Sequence, residues 1–160
     1  MRIMVLTVSD RAYKGLYRDL SGPAIERILH EQISGVIIER RIVPDERELI
    51  LSAFEDEQST DCIITTGGTG LSPRDVTPEI TMEYCDRLVP GIAETLRFQS
   101  YNEMPNAMLS RGVAGIKGRT LIINLPGSTS AIETCMNILV PVLTHAMKMI
   151  AGEGHSSDHS

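Results

Sequence analysis

The sequence lacks the features that mark several large classes of protein. No apolar run approaches the roughly 20 residues that span a bilayer, and the N-terminal segment has no small-residue cleavage site of a secretory signal. The three cysteines, Cys62, Cys85 and Cys135, form no CxxC pair. A scattered, odd number of cysteines argues against a disulfide framework or a structural zinc site. We therefore predict a cytoplasmic protein without membrane association.

Positive charge is also scarce. The 160-residue chain has 15 Lys and Arg against 21 Asp and Glu, which gives a formal net charge of −6. Nonspecific nucleic-acid binding requires many cations against the phosphates, so we predict no nucleic-acid partner. A small anionic ligand is still compatible with this charge, because backbone amides and a few local cations can hold one.

The pattern of apolar residues predicts a single domain of the α/β class. Strand-like segments alternate with helical ones, and no repeat or linker divides the chain. We expect a three-layer α/β/α domain over residues 1–151, with a mostly parallel central sheet, and a disordered tail over 152–160. The expected strands are 2–8, 36–43, 61–66, 113–116 and 120–125, and the expected helices begin near Pro23, Asp45, Thr77, Ile92 and Ser128.

Polar or glycine-rich segments follow four of the expected strands. They are Ser9-Asp10, Pro44-Asp45, the loop after Thr66, and Pro126-Gly127-Ser128. Ligands of parallel α/β sheets bind outside the carboxyl ends of the strands. The sequence therefore predicts a binding site where these four segments meet.

The loop after the third strand has the most distinctive composition. Residues 65–79 read TTGGTGLSPRDVTPE. The glycines from Gly67 to Gly70 allow positive φ and let an anion approach the backbone amides. The loop is neither a Walker A motif nor a Rossmann GxGxxG motif. Together with Arg74 and Asp75 it favours phosphate binding; the alternative is a tight turn that binds nothing.

Two aspartates, Asp45 and Asp75, follow predicted strand ends. A divalent cation on a triphosphate recruits one or two protein carboxylates, so both are candidates for metal handling or for orienting substrate. The alternative is structural: Asp45 would cap the helix that it opens, and Asp75 would pair with Arg74 in a surface turn. Weaker candidates are Asp10, Arg11, Ser110 and Arg111, the arginines because a guanidinium suits phosphate. The alternative for each is a solvated position in a loop.

As a set and in one order, several motifs closely resemble the MogA-type molybdopterin adenylyltransferases, which are related to the G domains of plant Cnx proteins and of gephyrin. The motifs are Ser9-Asp10-Arg11, Pro44-Asp45, TTGGTG with RDVTPE, Val89-Pro90-Gly91, Leu109-Ser110-Arg111 and Asn124-Leu125-Pro126-Gly127. The resemblance extends from about Arg2 to Ile150.

The resemblance implies a reaction in which ATP and molybdopterin give adenylyl-molybdopterin and pyrophosphate. It implies Mg²⁺ as cofactor, ATP as co-substrate, a homotrimer, and a molybdenum insertase as a further partner. Asp45 and Asp75 would be the catalytic and metal-handling pair. The implied substrate-binding residues are Ser9, Asp10, Thr66, Gly67, Gly68, Thr69, Gly70, Arg74, Ser110, Arg111, Asn124, Pro126, Gly127 and Ser128.

Two other functions are compatible with parts of this pattern. The segment Gly127-Ser128-Thr129-Ser130 is more similar to the MoaB branch, some members of which lack clear adenylyltransferase activity. The chain would then be a pterin-binding or scaffolding trimer, against which the intact aspartates argue. The CinA-type nucleotide pyrophosphatases are similar in fold, but Thr69 and Arg74 depart from their glycine loop.

Overall fold

The computed structural model describes residues 1–56 and 59–153. The strands are β1 (Arg2–Val8), β2 (Ile37–Val43), β3 (Cys62–Thr66), β4 (Arg87–Leu88), β5 (Ala114–Lys117) and β6 (Thr120–Leu125). The helices are α1 (Asp10–Tyr13), α2 (Ser21–Gln32), α3 (Arg47–Glu55), α4 (Thr77–Tyr84), α5 (Pro90–Glu103) and α6 (Thr129–Ala151), with a 3-10 helix at Pro105–Leu109.

The six strands form one sheet in the order β2-β1-β3-β6-β5-β4. The first four of these are mutually parallel, whereas β5 runs antiparallel to both β6 and β4. The expected mostly parallel α/β sheet is confirmed. Because β1, β2, β3 and β6 run the same way, their carboxyl ends lie at one edge of the sheet.

Successive residues of β1 are buried on opposite faces of the sheet, so helices must cover both faces. Ile3 and Val5 belong to one buried cluster, whereas Met4 and Leu6 belong to another, as the two-residue period of a strand requires. The first cluster contains the apolar faces of α2 and α6 and Leu96 of α5. The second contains residues of α3 and Ile80 of α4. The three-layer arrangement is therefore as expected.

Helix α6 is the longest element, with 23 residues. Within the described ranges it alone is long and apolar enough, by length and composition, to cross a membrane. Its inner face, which includes Ile132, Met136 and Leu143, is buried in the core. Pro141 lies inside the helix. The spacing of the methionines predicts Met149 in the core, but Met149 is 60% exposed.

Helix α2 begins at Ser21, two residues earlier than expected. The position of Ser21 before Pro23 predicts Ser21 as the cap, but Ser21 is itself the first helical residue. The Asp19 carboxylate takes the capping role, since its Oδ1 accepts from the Gly22 amide at 3.0 Å and its Oδ2 accepts from the Thr7 hydroxyl at 2.8 Å. The Ser21 hydroxyl donates instead to the Gly127 carbonyl at 2.7 Å. This bond joins the start of α2 to the turn after β6.

Other element boundaries also differ from the predictions. Helix α3 begins at Arg47 rather than Asp45. Helix α4 begins at Thr77 as expected, but it ends at Tyr84, before the Val89-Pro90-Gly91 segment that is predicted to end it. The short elements α1, β4 and the 3-10 helix were not expected. Strand β4 exists because its two residues pair with the β5 strand of the hairpin, a contact that local sequence does not encode. Except for Gly152 and Glu153, the predicted tail, with His155 and His159, lies outside the described residues.

Candidate active site

A cleft of about 620 Å³ lies at the carboxyl-end edge of the parallel strands, where the sequence predicts a site. The glycine loop and the turn after β6 form its floor, and faces of α5 and α6 form its walls. The predicted site residues that line it are Gly67, Gly68, Thr69, Gly70, Asp75, Ser110, Asn124, Pro126, Gly127 and Ser128. Those that do not are Ser9, Asp10, Asp45, Thr66, Arg74 and Arg111.

The first two loop positions require glycine. Gly67 has φ +97° and Gly68 has φ +64°, a region that side chains disfavour. A Cβ on Gly67 would lie 2.3 Å from the Val8 carbonyl oxygen, and one on Gly68 would lie 2.3 Å from Thr77 Oγ1. Sterics and backbone conformation therefore both select glycine, which leaves the loop backbone open at the floor of the cleft.

Thr77 and Arg111 hold the loop from outside the cleft. The Thr77 amide and hydroxyl donate to the carbonyls of Gly68 and Gly67, each at 3.2 Å. The Arg111 amide donates to Thr69 O at 2.9 Å, and its guanidinium donates to Gly70 O at 2.7 Å and to Asp75 O at 2.6 Å. Arg111 thus connects both sides of the loop.

The Arg111 guanidinium also forms an ion pair with Glu79, the last residue of the RDVTPE motif. Its charge is therefore balanced within the protein, and its fork of donors is directed at loop carbonyls. In this structure Arg111 positions the loop, and phosphate binding by this side chain stays a prediction.

Asp10 and Asp45 connect the loops after β1 and β2. The Asp10 amide donates to Asp45 Oδ2 at 2.9 Å, and the Asp45 amide donates to Asp10 Oδ1 at 3.1 Å. Asp45 therefore does not cap α3, contrary to the structural alternative. Ser9 caps the short helix α1 by accepting from the Ala12 amide at 3.2 Å.

Arg74 pairs with Asp10 and not with its neighbour Asp75. Its Nη2 lies 2.8 Å from Asp10 Oδ2, and its Nε also donates to that carboxylate. The adjacent-pair alternative is therefore wrong. Asp75 Oδ2 instead accepts from the Ser72 amide at 3.0 Å, within the turn that carries it toward the cleft.

The environments of Asp10 and Asp45 shift their pKa values in opposite directions. The hydrogen bond from Arg74 lowers the pKa of Asp10. Burial raises the pKa of Asp45, and repulsion from the carboxylates of Asp10 and Asp75 adds to this shift. Asp45 is thus a half-buried carboxylate beside two others, a setting in which a bound cation would lower its energy.

Asp45 and Asp75 both lie against the glycine loop. A Cβ on Gly68 would be 3.1 Å from Asp45 Oδ1, and a Cβ on Gly70 would be 2.9 Å from Asp75 Oδ2. Across residues 1–56 and 59–153 no cluster of three or more His, Cys, Asp or Glu could hold a metal by itself. Two carboxylates suit Mg²⁺, which completes its shell with water and substrate phosphates.

The turn after β6 is held against the glycine loop. The Thr66 hydroxyl donates to the Pro126 carbonyl at 2.8 Å, so this hydroxyl stabilises the turn. A Cβ on Gly127 would lie 3.4 Å from the Gly67 Cα. Ser128 occupies the N-cap position of α6, as expected, but its side chain makes no capping hydrogen bond. The positive end of a long helix dipole therefore lies at the cleft.

Asn124 lines the cleft, but its side-chain amide is bonded within the fold. The residue is 4% exposed. Its Nδ2 donates to the hydroxyls of Thr65 and Thr81 at 3.0 and 2.9 Å, and its Oδ1 accepts from the Val113 amide at 3.2 Å. This residue ties β6 to β3 and to α4. A role for Asn124 in substrate binding stays a prediction.

The sequence reading missed the cleft residues contributed by α5. Ala93, Leu96, Arg97 and Ser100 all line the cleft, and their i, i+3, i+4, i+7 spacing places them on one helix face. The sequence feature that indicates these residues is the spacing of Arg97 and Ser100, which places them on the same helix face as the apolar Ala93 and Leu96. Polar residues on an inward stripe indicate a helix that borders a cavity.

Comparison with known proteins agrees with the fold. The family described as "Probable molybdopterin binding domain" matches residues 4–145. The chain belongs to this molybdopterin-binding family. The resemblance of its motifs to that family is thereby confirmed.

Two proteins with similar sequences are named for steps of molybdenum cofactor synthesis. The molybdopterin adenylyltransferase of Helicobacter pylori strain J99 is 43% identical over 156 residues, covering 95% of this chain and 89% of the relative. The Drosophila melanogaster molybdenum cofactor synthesis protein cinnamon is 38% identical, but the match covers 93% of this chain and only 25% of cinnamon.

A solved structure of the same family superimposes closely. The crystal structure of the molybdopterin biosynthesis enzyme MoaB from Thermus thermophilus has a TM-score of 0.84 and 44% identity, and the match covers 94% of this chain and 96% of that one. The mostly parallel α/β fold expected from the sequence is therefore the fold of the family.

Proposed function

We propose that this protein is a molybdopterin adenylyltransferase of molybdenum cofactor biosynthesis. The observation that carries the proposal is the placement of Asp45 and Asp75 against a glycine loop whose first two positions require glycine. The 43% identity to an adenylyltransferase over nearly the whole chain supports the same reaction. The proposed substrates are molybdopterin and ATP.

In this reaction the terminal phosphate of molybdopterin attacks the α-phosphorus of ATP. A new P–O bond forms, the bond from the α-phosphorus to the bridging oxygen breaks, and pyrophosphate leaves with the electron pair. The protein positions the two phosphates and stabilises their charge. The loop backbone from Gly67 to Gly70 and the N-terminal end of α6 suit this role, because both present amide groups to anions.

The charge of the leaving pyrophosphate needs a counter-ion. Mg²⁺, held by Asp45 and Asp75, would supply that charge neutralisation. Asp10 contributes indirectly, because its backbone amide fixes one oxygen of Asp45 and its carboxylate holds Arg74. This arrangement orients the Asp45 carboxylate before any ligand binds.

The protein's assembly and cellular setting belong to the same proposal. We infer a cytoplasmic homotrimer that passes adenylyl-molybdopterin to a separate molybdenum insertase. The match to cinnamon supports a later step of synthesis carried out by another protein. This chain corresponds to only a quarter of that longer molybdenum cofactor synthesis protein, whose remaining part has no counterpart in this match. Sedimentation of the purified protein would give its mass in solution, and a monomer would contradict the trimer.

The reaction can be tested directly with Mg·ATP and freshly released molybdopterin. Chromatography of the mixture should show adenylyl-molybdopterin with the wild-type protein and at least about a hundredfold less with Asp75→Asn. Asp56→Asn, an exposed substitution at the end of α3, is the matched control and should retain full activity. If folded wild-type protein binds molybdopterin but gives no product, the adenylyltransferase proposal is wrong and the MoaB-like binding function replaces it.

A further inference from the structure

We propose that Arg97, on the inner face of α5, is the cation that binds a substrate phosphate in the cleft. The identity of the substrate rests on the proposed function, whereas the anion-binding role rests on the geometry of the side chain. Arg97 belongs to none of the motifs that predict the site from the sequence.

The argument begins with the charges around the cleft. Its described lining residues include the acidic Asp75 and Glu103, and Arg97 is the only Lys or Arg among them. The arginines that the sequence indicated are engaged elsewhere. Arg74 pairs with Asp10, and Arg111 pairs with Glu79 and holds the loop carbonyls. An anion that enters the cleft therefore meets Arg97 as its nearest unpaired guanidinium.

The Arg97 side chain is anchored at one end of its guanidinium. Its Nη1 donates to the Gly112 carbonyl at 2.7 Å and to the Ser110 carbonyl at 3.3 Å. Neither partner carries charge, so the positive charge of Arg97 is not neutralised. Within the described part of the chain, Nε and Nη2 donate to no protein group.

This anchoring suits the binding of a phosphate. A guanidinium presents its donors in a rigid plane, and Nε with Nη2 forms the edge that binds two oxygens of one phosphate. Because Nη1 is already fixed, little side-chain freedom is lost when the ligand binds. The half-buried position of Arg97 also reduces screening by solvent and so strengthens the interaction.

Both proposed substrates carry phosphate, so the shared chemistry is a phosphate group and an experiment must separate the two sources. Affinity would be measured for two matched ligand pairs, without turnover. One pair is Mg·α,β-methylene-ATP and adenosine; the other is molybdopterin and its dephosphorylated form. The variants are Arg97→Gln and Arg119→Gln, the latter on the hairpin turn at the opposite end of β6 from the cleft.

We expect Arg97→Gln to weaken binding of one phosphorylated ligand by about ten- to a hundredfold, with little change for its dephosphorylated partner. The affected pair identifies the source of the phosphate. Arg119→Gln should bind all four ligands as the wild type does. Equal loss for both members of a pair would show that Arg97 only braces Ser110 and Gly112, and no loss would show no ligand contact. Either result overturns the proposal.

A measurement on the unmodified protein guards against misfolding of the variant. The Nε–H resonance of Arg97, assigned by its absence in Arg97→Lys, should shift when the phosphorylated ligand is added and stay in place with the dephosphorylated one. An unmoved resonance at saturation contradicts the proposal. Because these readouts need no catalysis, they stand even if the adenylyltransferase assay fails.

Discussion

Asp10 and Asp45 each accept a hydrogen bond from the backbone amide of the other, Asp10 at 3.1 Å and Asp45 at 2.9 Å. The two residues are 35 positions apart and follow the adjacent parallel strands β1 and β2. These two hydrogen bonds join the loops after β1 and β2 beside the glycine loop. It also explains how a half-buried carboxylate is kept in place, since each aspartate has a fixed donor.

The raised pKa of Asp45 predicts a conflict between stability and activity. Asp45→Asn keeps an oxygen that can accept from the Asp10 amide but removes the cost of burying a charge. A raised pKa in the folded state means that ionisation costs stability as the pH rises through that pKa. We expect the variant to unfold at a higher temperature than the wild type at pH 8 and to lose at least about a hundredfold in activity.

Thermal unfolding at pH 4 and at pH 8 checks the sign of this effect. The difference between Asp45→Asn and wild type should be smaller at pH 4, which lies near the ordinary Asp pKa of about 3.9, so that only part of the charge penalty is present, and it should grow toward pH 8. A variant that is less stable than the wild type at pH 8 would show that Asp45 is not a destabilising charge.

The lowered pKa of Asp10 depends on Arg74. A lowered folded-state pKa contributes stability that is present above the unfolded-state pKa and is lost as the pH falls through the folded value. Arg74→Gln should therefore raise the pKa of Asp10, as followed by carbon-13 NMR of the carboxyl group. An unchanged pKa would mean that the pair seen here does not persist in solution. Arg119→Gln serves as the control for loss of an exposed positive charge.

Gly68→Ala should destabilise the protein strongly. The residue has φ +64°, and its new Cβ would lie 2.3 Å from Thr77 Oγ1, so strain and a clash combine. Gly118→Ala is a matched control with φ +56° and no atom within 4 Å. We expect a loss of about 1 kcal/mol for Gly118→Ala and of about 3 kcal/mol or more for Gly68→Ala. Denaturant unfolding measures both, and equal losses would show that the loop relaxes freely.

Arg111 should affect catalysis by positioning the loop. Arg111→Lys keeps the charge beside Glu79, but a single ammonium cannot reproduce the fork that reaches both Gly70 O and Asp75 O. We expect kcat to fall about tenfold or more for the lysine variant, with less change in KM for ATP. Arg111→Gln should lose more, because the ion pair is removed as well. A rise in KM with normal kcat would instead indicate direct phosphate binding by Arg111.

The buried hydrogen bonds of Asn124 should contribute to the free energy of unfolding. Asn124→Ala leaves the Val113 amide and the hydroxyls of Thr65 and Thr81 without their buried partner, at a cost of about 2–4 kcal/mol. Urea unfolding would measure this loss, and binding of substrate to the folded fraction would be nearly unchanged. Near-normal stability together with weakened substrate binding would assign Asn124 to the ligand.

Much of the architecture could be predicted from local pattern. The buried run of β3 and the hairpin of β5 and β6 are properties of short segments, so these strands were found within a residue or so. The four polar strand ends converge as predicted, because parallel strands must end at one edge. The helix starts were less accurate, since the carboxylate of Asp45 bonds to Asp10 rather than capping α3.

Sequence by itself determined the α/β class and the order of the strand-end motifs, because these follow from apolar periodicity within short segments. Tertiary structure alone decided the partners of the charged and amide side chains. Arg74 reaches Asp10 across 64 positions, and Asn124 reaches Thr65 across 59. Such pairs form where the fold brings distant segments within about 3 Å, a distance that no local pattern specifies.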